Sequence, residues 1–241
     1  MNPRWPKPFF RQFLLVILAS LSIRGRSPDD RILSYVVDPA KQDIQFYYKD
    51  DNGVILGSIQ RVKDYLGHHH KTLVFAMNGG MFKPDHSPQG LFIQQGRMIT
   101  PLDTLSGNGN FYLKPNGVFY ITRKKQAHIC STPEFSDDGQ VWFATQSGPM
   151  LLENGVFHPA FKQGSVNLNI RNGVGVLPDG RLIFAMSREP INFYDLANFF
   201  NRQGCQNALY LDGFVSRTYL PEKEWMQTDG DFGVIIAVSV P

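Results

Sequence analysis

The sequence has 241 residues, a length typical of one globular domain, and 42% of them are hydrophobic, enough to bury a sizeable core. Its formal net charge is only +3 and its basic residues are dispersed, which argues against nucleic acid as a partner. The 19 Phe and 22 Gly favour strands joined by tight turns over long helices.

The N-terminal segment is typical of an export signal. Basic residues within positions 4–11 precede the apolar stretch 13–23, which is shorter than the roughly 20 residues of a membrane span. This order predicts a secretory signal peptide, and the basic residue that follows at once leaves an uncleaved anchor as the alternative. We therefore interpret residues 1–26 as a signal peptide or N-terminal membrane anchor, and expect the protein in the periplasm or cell envelope, or secreted.

The folded domain is expected over residues 31–241. Residues 31–38 and 44–49 are β-rich runs, residues 58–66 carry apolar side chains on one helical face, and residues 72–77 form a continuous apolar run. The first part of the domain is therefore predicted to contain two strands, a helix and a buried strand.

The later part of the chain contains the turn residues that typically connect antiparallel strands. Three turns that contain Asn-Gly or Asp-Gly predict hairpins, at residues 115–117, 153–155 and 178–180. A helix is expected from its cap Asn192 to Gly204, followed by strands at 208–211 and 234–240. The whole pattern predicts a single α+β domain, a mostly antiparallel mixed sheet with a few packed helices.

Cysteine and histidine residues give no metal-site pattern. Cys130 and Cys205 fit neither zinc nor redox spacing; in an exported chain they could form one disulfide or stay as two buried thiols. The three histidines at 68–70 are interpreted as a solvated turn, and His86 as a loop residue that could flank a site. We expect no metal and no other cofactor.

Two segments end a strand in glycine and small polar residues. Asn78, Gly79 and Gly80 directly follow an apolar run, so that the backbone there can turn sharply or approach a ligand closely. Ser147 and Gly148 end a second apolar run in the same way. Taken alone, either segment is better interpreted as an ordinary tight turn.

Two further segments carry charge. Arg171 enters a strand that otherwise looks buried, and a planar guanidinium suits a phosphate or a carboxylate. Asp212 and Gly213 follow the apolar strand 208–211, with Ser216 one turn further on. An edge-strand arginine and a turn-capping aspartate are the competing interpretations.

In this order, the four segments resemble the phosphodiester glycosidase family. The matching motifs are an Asn-Gly-Gly-x-Phe turn at 78–82, a Ser-Gly-Pro turn at 147–149, Arg171 before a glycine-containing strand, and a Leu-Asp-Gly turn with a nearby serine at 211–216. They extend over nearly the whole domain. Phe214 departs from the glycine- and serine-only turn of eukaryotic members; this resembles a bacterial branch of uncharacterised envelope proteins and would alter the shape of the pocket.

The resemblance implies a hydrolase that cleaves a sugar-1-phosphodiester bond in an envelope or extracellular glycan. The implied catalytic residues are Asp212 as acid, base or nucleophile at the anomeric carbon, Arg171 holding the phosphate, and Asn78. The implied substrate-binding residues, some through backbone amides that bind phosphate oxygens, are Gly79, Gly80, Ser147, Gly148, Gly213 and Ser216. Such a site requires these separate turns to converge in one pocket.

A non-catalytic glycan-binding or envelope-scaffolding module is the alternative, because the sequence offers no obvious second carboxylate. Arg171 together with Asp212 favours an enzyme, since a sugar platform does not need a buried charge pair. A peptidase or esterase based on Ser147 or Ser216 is disfavoured because no nucleophile-elbow motif surrounds either serine.

The N-terminal interpretation predicts export. A fusion of residues 1–30 to a reporter that is active only outside the cytoplasm should give signal, because a basic start and an apolar run direct secretion. Retention of the reporter in the cytoplasm would contradict the prediction.

Overall fold

The computed structural model describes residues 1–2 and 28–241, and these residues contain sixteen strands and two α-helices. The strands are β1 (Ile32–Val37), β2 (Asp43–Tyr47), β3 (Thr72–Asn78), β4 (Phe92–Gln94), β5 (Arg97–Thr100), β6 (Gly117–Thr122), β7 (Ala127–Ser131), β8 (Val141–Ser147), β9 (Met150–Glu153), β10 (Val156–Phe157), β11 (Asn172–Val176), β12 (Leu182–Ser187), β13 (Ala208–Tyr210), β14 (Thr218–Leu220), β15 (Trp225–Met226) and β16 (Ile235–Val240). The helices are α1 (Ile59–His68) and α2 (Phe193–Arg202).

The strands form three antiparallel sheets. One sheet has the order β1-β12-β11-β13-β9-β10, the second β15-β14-β3-β16-β2, and the third β5-β4-β8-β6-β7. The expectation of a single, mostly antiparallel α+β domain is confirmed. The predicted signal or anchor at 1–26 lies outside the described residues except for the first two. No helix in the described part of the chain is long and apolar enough to cross a membrane.

Both helices begin at a capping side chain, of which the cap at Asn192 was predicted from the sequence. The Ser58 hydroxyl accepts a hydrogen bond from the Arg61 amide, and Asn192 Oδ1 accepts one from the Asp195 amide at 2.8 Å. The apolar face of α1 packs on the second sheet, and that of α2 packs on the first.

The three sheets share one core built around phenylalanines. The Phe46 ring from β2 lies 5.3 Å from that of Phe119 in β6, and the Phe184 ring from β12 lies 6.0 Å from Phe119 and 5.2 Å from Phe75 in β3. All four side chains are fully buried. This packing fixes the three sheets relative to one another, and therefore fixes where their strand ends meet.

Two of the three predicted hairpins form. Residues 153–155 join β9 to β10, and residues 178–180 join β11 to β12. The hairpin predicted at 115–117 is wrong, because a short 3₁₀ turn at Asn110–Tyr112 precedes it and β6 pairs with β7 and β8 instead. Asn116 is buried there and its Nδ2 donates to the Phe111 carbonyl, so it anchors a loop.

Both cysteines are free thiols. Cys130 is half-buried on β7 and Cys205 is buried after α2. Burial raises the pKa of Cys130 to about 11 and that of Cys205 to about 12, so neither is a reactive thiolate at neutral pH. The sequence left a disulfide and two buried thiols as alternatives, and the structure shows two separate thiols.

Candidate active site

Two buried asparagines hold the backbone of Asp212. Asn78, the last residue of β3, donates from Nδ2 to the Asp212 carbonyl at 2.9 Å. Asn172, the first residue of β11, accepts from the Asp212 amide at 2.8 Å and donates to Asn78 Oδ1 at 2.8 Å. Asn78 Oδ1 also accepts from the Arg217 amide at 3.1 Å. The ends of two sheets are therefore joined through the residue that carries the candidate catalytic carboxylate.

Two serines complete this clamp. The Ser147 hydroxyl, at the end of β8 in the third sheet, donates to the Leu211 carbonyl at 2.6 Å. The Ser216 hydroxyl donates to the Asp212 carbonyl at 2.9 Å. The short segment 211–212 thus receives side-chain hydrogen bonds from all three sheets and from its own turn. We name the four residues Asn78, Ser147, Asn172 and Ser216 the backbone clamp.

The side chain of Asp212 itself is half-buried, and no basic group forms an ion pair with it in the described ranges. Burial raises the pKa of this carboxyl to about 7, opposed by a hydrogen bond from the Phe214 amide. A carboxyl with a pKa near neutrality can exchange a proton at working pH, as a general acid or base must.

Arg171 is a buried cation without an acidic partner among residues 28–241. Its side chain is 1% exposed, Nε donates to the Ile191 carbonyl at 2.8 Å, and Nη2 donates to the Asn167 carbonyl at 3.0 Å. The guanidinium lies 3.6 Å from the centroid of the Phe193 ring, a cation–π contact. Burial lowers the pKa of Arg171 and the neighbouring Tyr210 opposes this shift. A desolvated positive charge of this kind attracts an anion.

Tyr210 connects the arginine to the aspartate. Its hydroxyl accepts a hydrogen bond from the Gly213 amide at 2.6 Å. Burial raises the pKa of Tyr210 to about 12, while the charge of Arg171 lowers this pKa and that of Asp212 raises it. The Tyr210 hydroxyl therefore interacts electrostatically with both side chains. Gly213 allows this contact because a Cβ there would overlap the Tyr210 hydroxyl and lie 2.5 Å from the Ile170 carbonyl.

The structure changes the roles expected for five of the sequence-predicted residues. Asn78 and Ser147 have no exposed surface and Ser216 is buried, so these three residues position Asp212 and do not contact a substrate in this conformation. The Gly79 amide was expected to bind phosphate, but it donates to the Val234 carbonyl at 2.7 Å and is not free to do so. Likewise the Gly213 amide is bonded to Tyr210.

The other predicted glycines lie at close approaches between elements. A Cβ at Gly80 would come within 2.7 Å of the Thr145 hydroxyl, and one at Gly148 within 2.7 Å of the Asn116 Cβ. His86 contacts Asp231 at 2.6 Å and stacks on Phe82 in the loop after β3. No group of three or more metal-ligating side chains converges within the residues that the structure describes.

Three residues that sequence reasoning missed complete the site: Asn172, Phe193 and Tyr210. Asn172 directly follows Arg171, and a second asparagine at the start of a buried strand was the available signal. Phe193 and Tyr210 look like ordinary core residues of α2 and β13, and the pattern gives no sign that their rings contact a guanidinium.

The site and the fold together define a phosphodiester glycosidase domain. The family model for phosphodiester glycosidases matches residues 71–234, and the chain belongs to this family. A relative from Escherichia coli (strain K12), the uncharacterised protein YigE, is 34% identical over 194 residues, which cover 80% of this chain and 76% of that one.

Solved structures show the same fold at low identity. The catalytic domain of zebrafish N-acetylglucosamine-1-phosphodiester alpha-N-acetylglucosaminidase, auto-inhibited by its pro-peptide, has a TM-score of 0.60 at 15% identity and covers 86% of this chain and 81% of that one. A hypothetical protein from Synechocystis has a TM-score of 0.53 at 13% identity, over 87% of this chain and 59% of that one.

Removal of one clamp residue should lower the free energy of unfolding, because it leaves buried polar groups of the site without hydrogen-bond partners. Asn172→Ala leaves Asn78 Oδ1 and the Asp212 amide without this partner, and we expect a loss of about 2–3 kcal/mol in the free energy of unfolding, measured by denaturant titration. Asn207→Ala is the matched control, because Asn207 likewise accepts from one backbone amide, that of Asn154, and donates to one oxygen, the Ile129 carbonyl, away from Asp212. If Asn172→Ala costs no stability, the clamp is not the constraint described here.

The raised pKa of Asp212 predicts a pH-dependent gain of stability in Asp212→Asn. Below about pH 4 the carboxyl is largely protonated in folded and unfolded chains alike. Between about pH 4 and pH 7 the unfolded chain ionises it while the folded chain keeps it protonated, so this residue's contribution to stability is lost over that range and the loss levels off above pH 7. The variant should therefore match the wild type at pH 4 and exceed it by about 1–2 kcal/mol at pH 8.

Asp179→Asn provides the control for this titration. The pKa of Asp179 is lowered by hydrogen bonds from Arg181, so its replacement should have the opposite sign and remove stability above pH 4. A difference between Asp212→Asn and the wild type that does not change with pH would contradict burial as the cause of the shift.

Proposed function

We propose that the protein hydrolyses the bond between the anomeric carbon of a sugar and a phosphodiester, in a glycan of the envelope or the extracellular space. The observation that carries this proposal is that two groups without an ion-pair partner in the described ranges, the Asp212 carboxyl and the Arg171 guanidinium, both act electrostatically on Tyr210, whose ring centroid lies 5.8 Å from the guanidinium. Family membership and the enzyme named for the zebrafish neighbour support the reaction class.

One carboxylate is sufficient for this reaction because of the leaving group. A sugar leaving group must be protonated, which is why ordinary glycosidases use two carboxyl groups. A phosphate monoester has a second pKa of about 6 and departs as an anion without a proton. The missing second carboxylate therefore does not favour a non-catalytic module over this chemistry.

In the proposed step Asp212 acts as the base. Its carboxylate removes a proton from water as the water oxygen attacks the anomeric carbon, and the electron pair of the breaking C–O bond passes to the phosphate oxygen. Direct attack by Asp212, followed by hydrolysis of a glycosyl ester, uses the same ionised form. The Arg171 side chain is only 1% exposed, so its positive charge stabilises the departing phosphate through its electric field in surroundings of low dielectric and not by direct contact.

The clamp residues and the glycines have separate tasks in this proposal. Asn78, Asn172, Ser147 and Ser216 are positioning residues that fix the Asp212 main chain, since precise placement of a reacting group is worth several powers of ten in rate. The amides of Gly80 and Gly148 remain the candidates for contact with phosphate oxygens.

The ionised form of Asp212 is required, so kcat/KM for a hydrolysed glycosyl-1-phosphodiester should rise with pH through about 7. Asp212→Asn should lose about 10²-fold or more in kcat while the fold is retained by circular dichroism. A panel of glycosyl-1-phosphodiesters, with released phosphate monoester as the readout, tests both expectations.

Two variants sharpen this assay. Asp179→Asn removes an exposed carboxylate from a turn and should leave the rate unchanged. Arg171→Lys keeps the charge but loses the planar contact with Phe193, and should raise KM and lower kcat together. Wild-type inactivity across the panel, with retained binding of envelope glycans, would instead establish a glycan-binding module.

A further inference from the structure

A cavity of about 360 Å³ lies between the second and third sheets. Its walls are β2, the β4–β5 turn, the β6–β7 turn and the start of β8. Phe143 lines this cavity and stacks on Phe46 of β2 at 5.3 Å, so β2 and β8 are held together. The polar and charged lining includes Asp43, Gln45, Gln95, Arg123, Lys125 and Trp142. We name this cavity the distal pocket.

The distal pocket and the backbone clamp lie at opposite ends of the sheets. Trp142 lines the pocket near the start of β8, whereas Ser147 is the last residue of that strand, roughly 17 Å further along the extended chain. In the second sheet, Asp43 is the first residue of β2. Ile235 of β16 pairs with Asn78 on one side and with the last residue of β2 on the other. The distal pocket is therefore separate from the candidate active site.

Arg123 is fixed in the distal pocket although its side chain is exposed. Its guanidinium carbon lies 4.5 Å from the centroid of the Trp142 ring, and its Nε donates to the Gly139 carbonyl at 3.3 Å. A Cβ at Gly96 would overlap Nη2, so this glycine leaves room for the guanidinium. Nη1 and Nη2 have no hydrogen-bond partner in the described part of the chain. A planar group held in this way is ready to donate two parallel hydrogen bonds to a carboxylate or a phosphate.

The charge available to a ligand in the distal pocket is positive. The charged side chains that line it are Asp43, Arg123 and Lys125. Asp43 is already satisfied, because Lys71 Nζ lies 2.7 Å from its Oδ2 and Gln45 Nε2 donates to its Oδ1 at 2.9 Å. Neither Arg123 nor Lys125 forms an ion pair within the described ranges. An anionic group is therefore the complementary ligand.

The uncharged lining of the distal pocket suits a sugar. Gln45 Oε1, the side-chain amide of Gln95 and the Trp142 indole N–H have no hydrogen-bond partner in the part of the chain that the structure describes. These groups both donate and accept, as sugar hydroxyls require. Buried Ile44 and Phe143 add apolar surface beside them. A few polar groups on an apolar floor, in a cavity above about 300 Å³, are typical of a small-molecule site.

An extended peptide is a less suitable ligand for the distal pocket. A peptide strand would add to the free edge of β2, where it needs unpaired main-chain groups. The Phe46 carbonyl of that strand already accepts from Gln94 Nε2 at 2.9 Å, and the Ile44 amide donates to the Gln42 carbonyl at 3.1 Å. The edge is therefore occupied by the chain itself.

We propose that the distal pocket binds a saccharide that carries a carboxylate or a phosphate, with the anion on Arg123 and Lys125 and the sugar hydroxyls on Gln45, Gln95 and Trp142. Because the pocket lies at the far end of the sheets from the backbone clamp, it retains a glycan and does not cleave it. This binding site does not depend on the proposed hydrolysis.

Calorimetry with four probes tests the distal pocket. Trigalacturonate and glucose 6-phosphate carry the two kinds of anion on a sugar, maltotriose is a neutral sugar, and inorganic phosphate is an anion without a sugar. At least one anionic sugar should bind about tenfold or more tightly than maltotriose and inorganic phosphate, because both sets of contacts are then made. The same probe should shift the indole N–H resonance of Trp142, assigned by its loss in Trp142→Phe.

Each other outcome overturns the inference. Inorganic phosphate that binds as tightly as the anionic sugars would indicate an anion site only, and maltotriose that binds equally would show that the charges are not used. Binding that leaves the Trp142 resonance unchanged would place the ligand elsewhere, and absence of binding to both anionic sugars would leave the pocket without this ligand.

Two neighbouring lysines provide a matched pair of variants. Lys125 lines the distal pocket, whereas Lys124 lines a different cavity with Tyr120 and His128. Lys125→Gln should weaken binding of the anionic sugar about threefold or more, and Lys124→Gln should leave it unchanged. Equal losses in these two variants would indicate general attraction to a basic turn and would contradict the proposed site.

Variants at Arg123 test the planar contact. Arg123→Gln should weaken binding of the anionic sugar about tenfold or more, because a charge-assisted pair of hydrogen bonds is lost. Arg123→Lys keeps the charge without the planar fork and should restore only part of this loss. Binding that is unchanged in Arg123→Gln would also overturn the inference. The side chain is exposed, so circular dichroism should show the same fold in all these variants.

Discussion

The site depends on how the main chain of residues 211–212 is held. Peptide groups after a buried strand normally bond to the next strand or to water, but here four side chains from separate elements bind them. Two of these side chains are asparagines, whose amides donate and accept at once, so Asn172 satisfies two partners and Asn78 three although both are fully buried. Because every polar group is paired, the network is rigid, and it fixes the direction in which the Asp212 side chain leaves the backbone.

This rigidity allows the protein to keep two charges in unfavourable surroundings. Arg171 is desolvated without a carboxylate beside it, and Asp212 is held away from basic groups in the described part of the chain. An ion-pair partner for Arg171 or Asp212 would stabilise its charge, but the charged group would then be unavailable to a substrate. The three sheets and their phenylalanine core supply stability elsewhere, which is how folded proteins maintain strained or unpaired groups at functional sites.

The sequence predicted what depends on neighbours in the chain. Apolar runs identified most strands, Asn192 identified the start of a helix, and the Arg171 and Asp212 segments stood out because charge adjoined an apolar strand. Sequence patterns failed where contacts between residues far apart in the chain determine the local structure. The turn at 115–117 has the composition of a hairpin, yet its partner strand lies elsewhere in the third sheet. The bond from Gly79 to Val234 joins residues far apart in sequence, and nothing near Gly79 indicates it.

The backbone clamp joins residues that are far apart in the sequence, and this separation determines when the clamp can assemble during folding. Asn78, Ser147 and Asn172 are contributed by three sheets, and Asn78 lies 134 residues from the carbonyl that it binds. β16, which follows the other fifteen described strands in the chain, pairs with β3, and the carbonyl of Val234 just before it accepts the Gly79 amide next to Asn78. Contacts over such separations form late in folding. A nascent chain therefore does not hold Asn78 in its final place until β16 has been synthesised and has paired with β3.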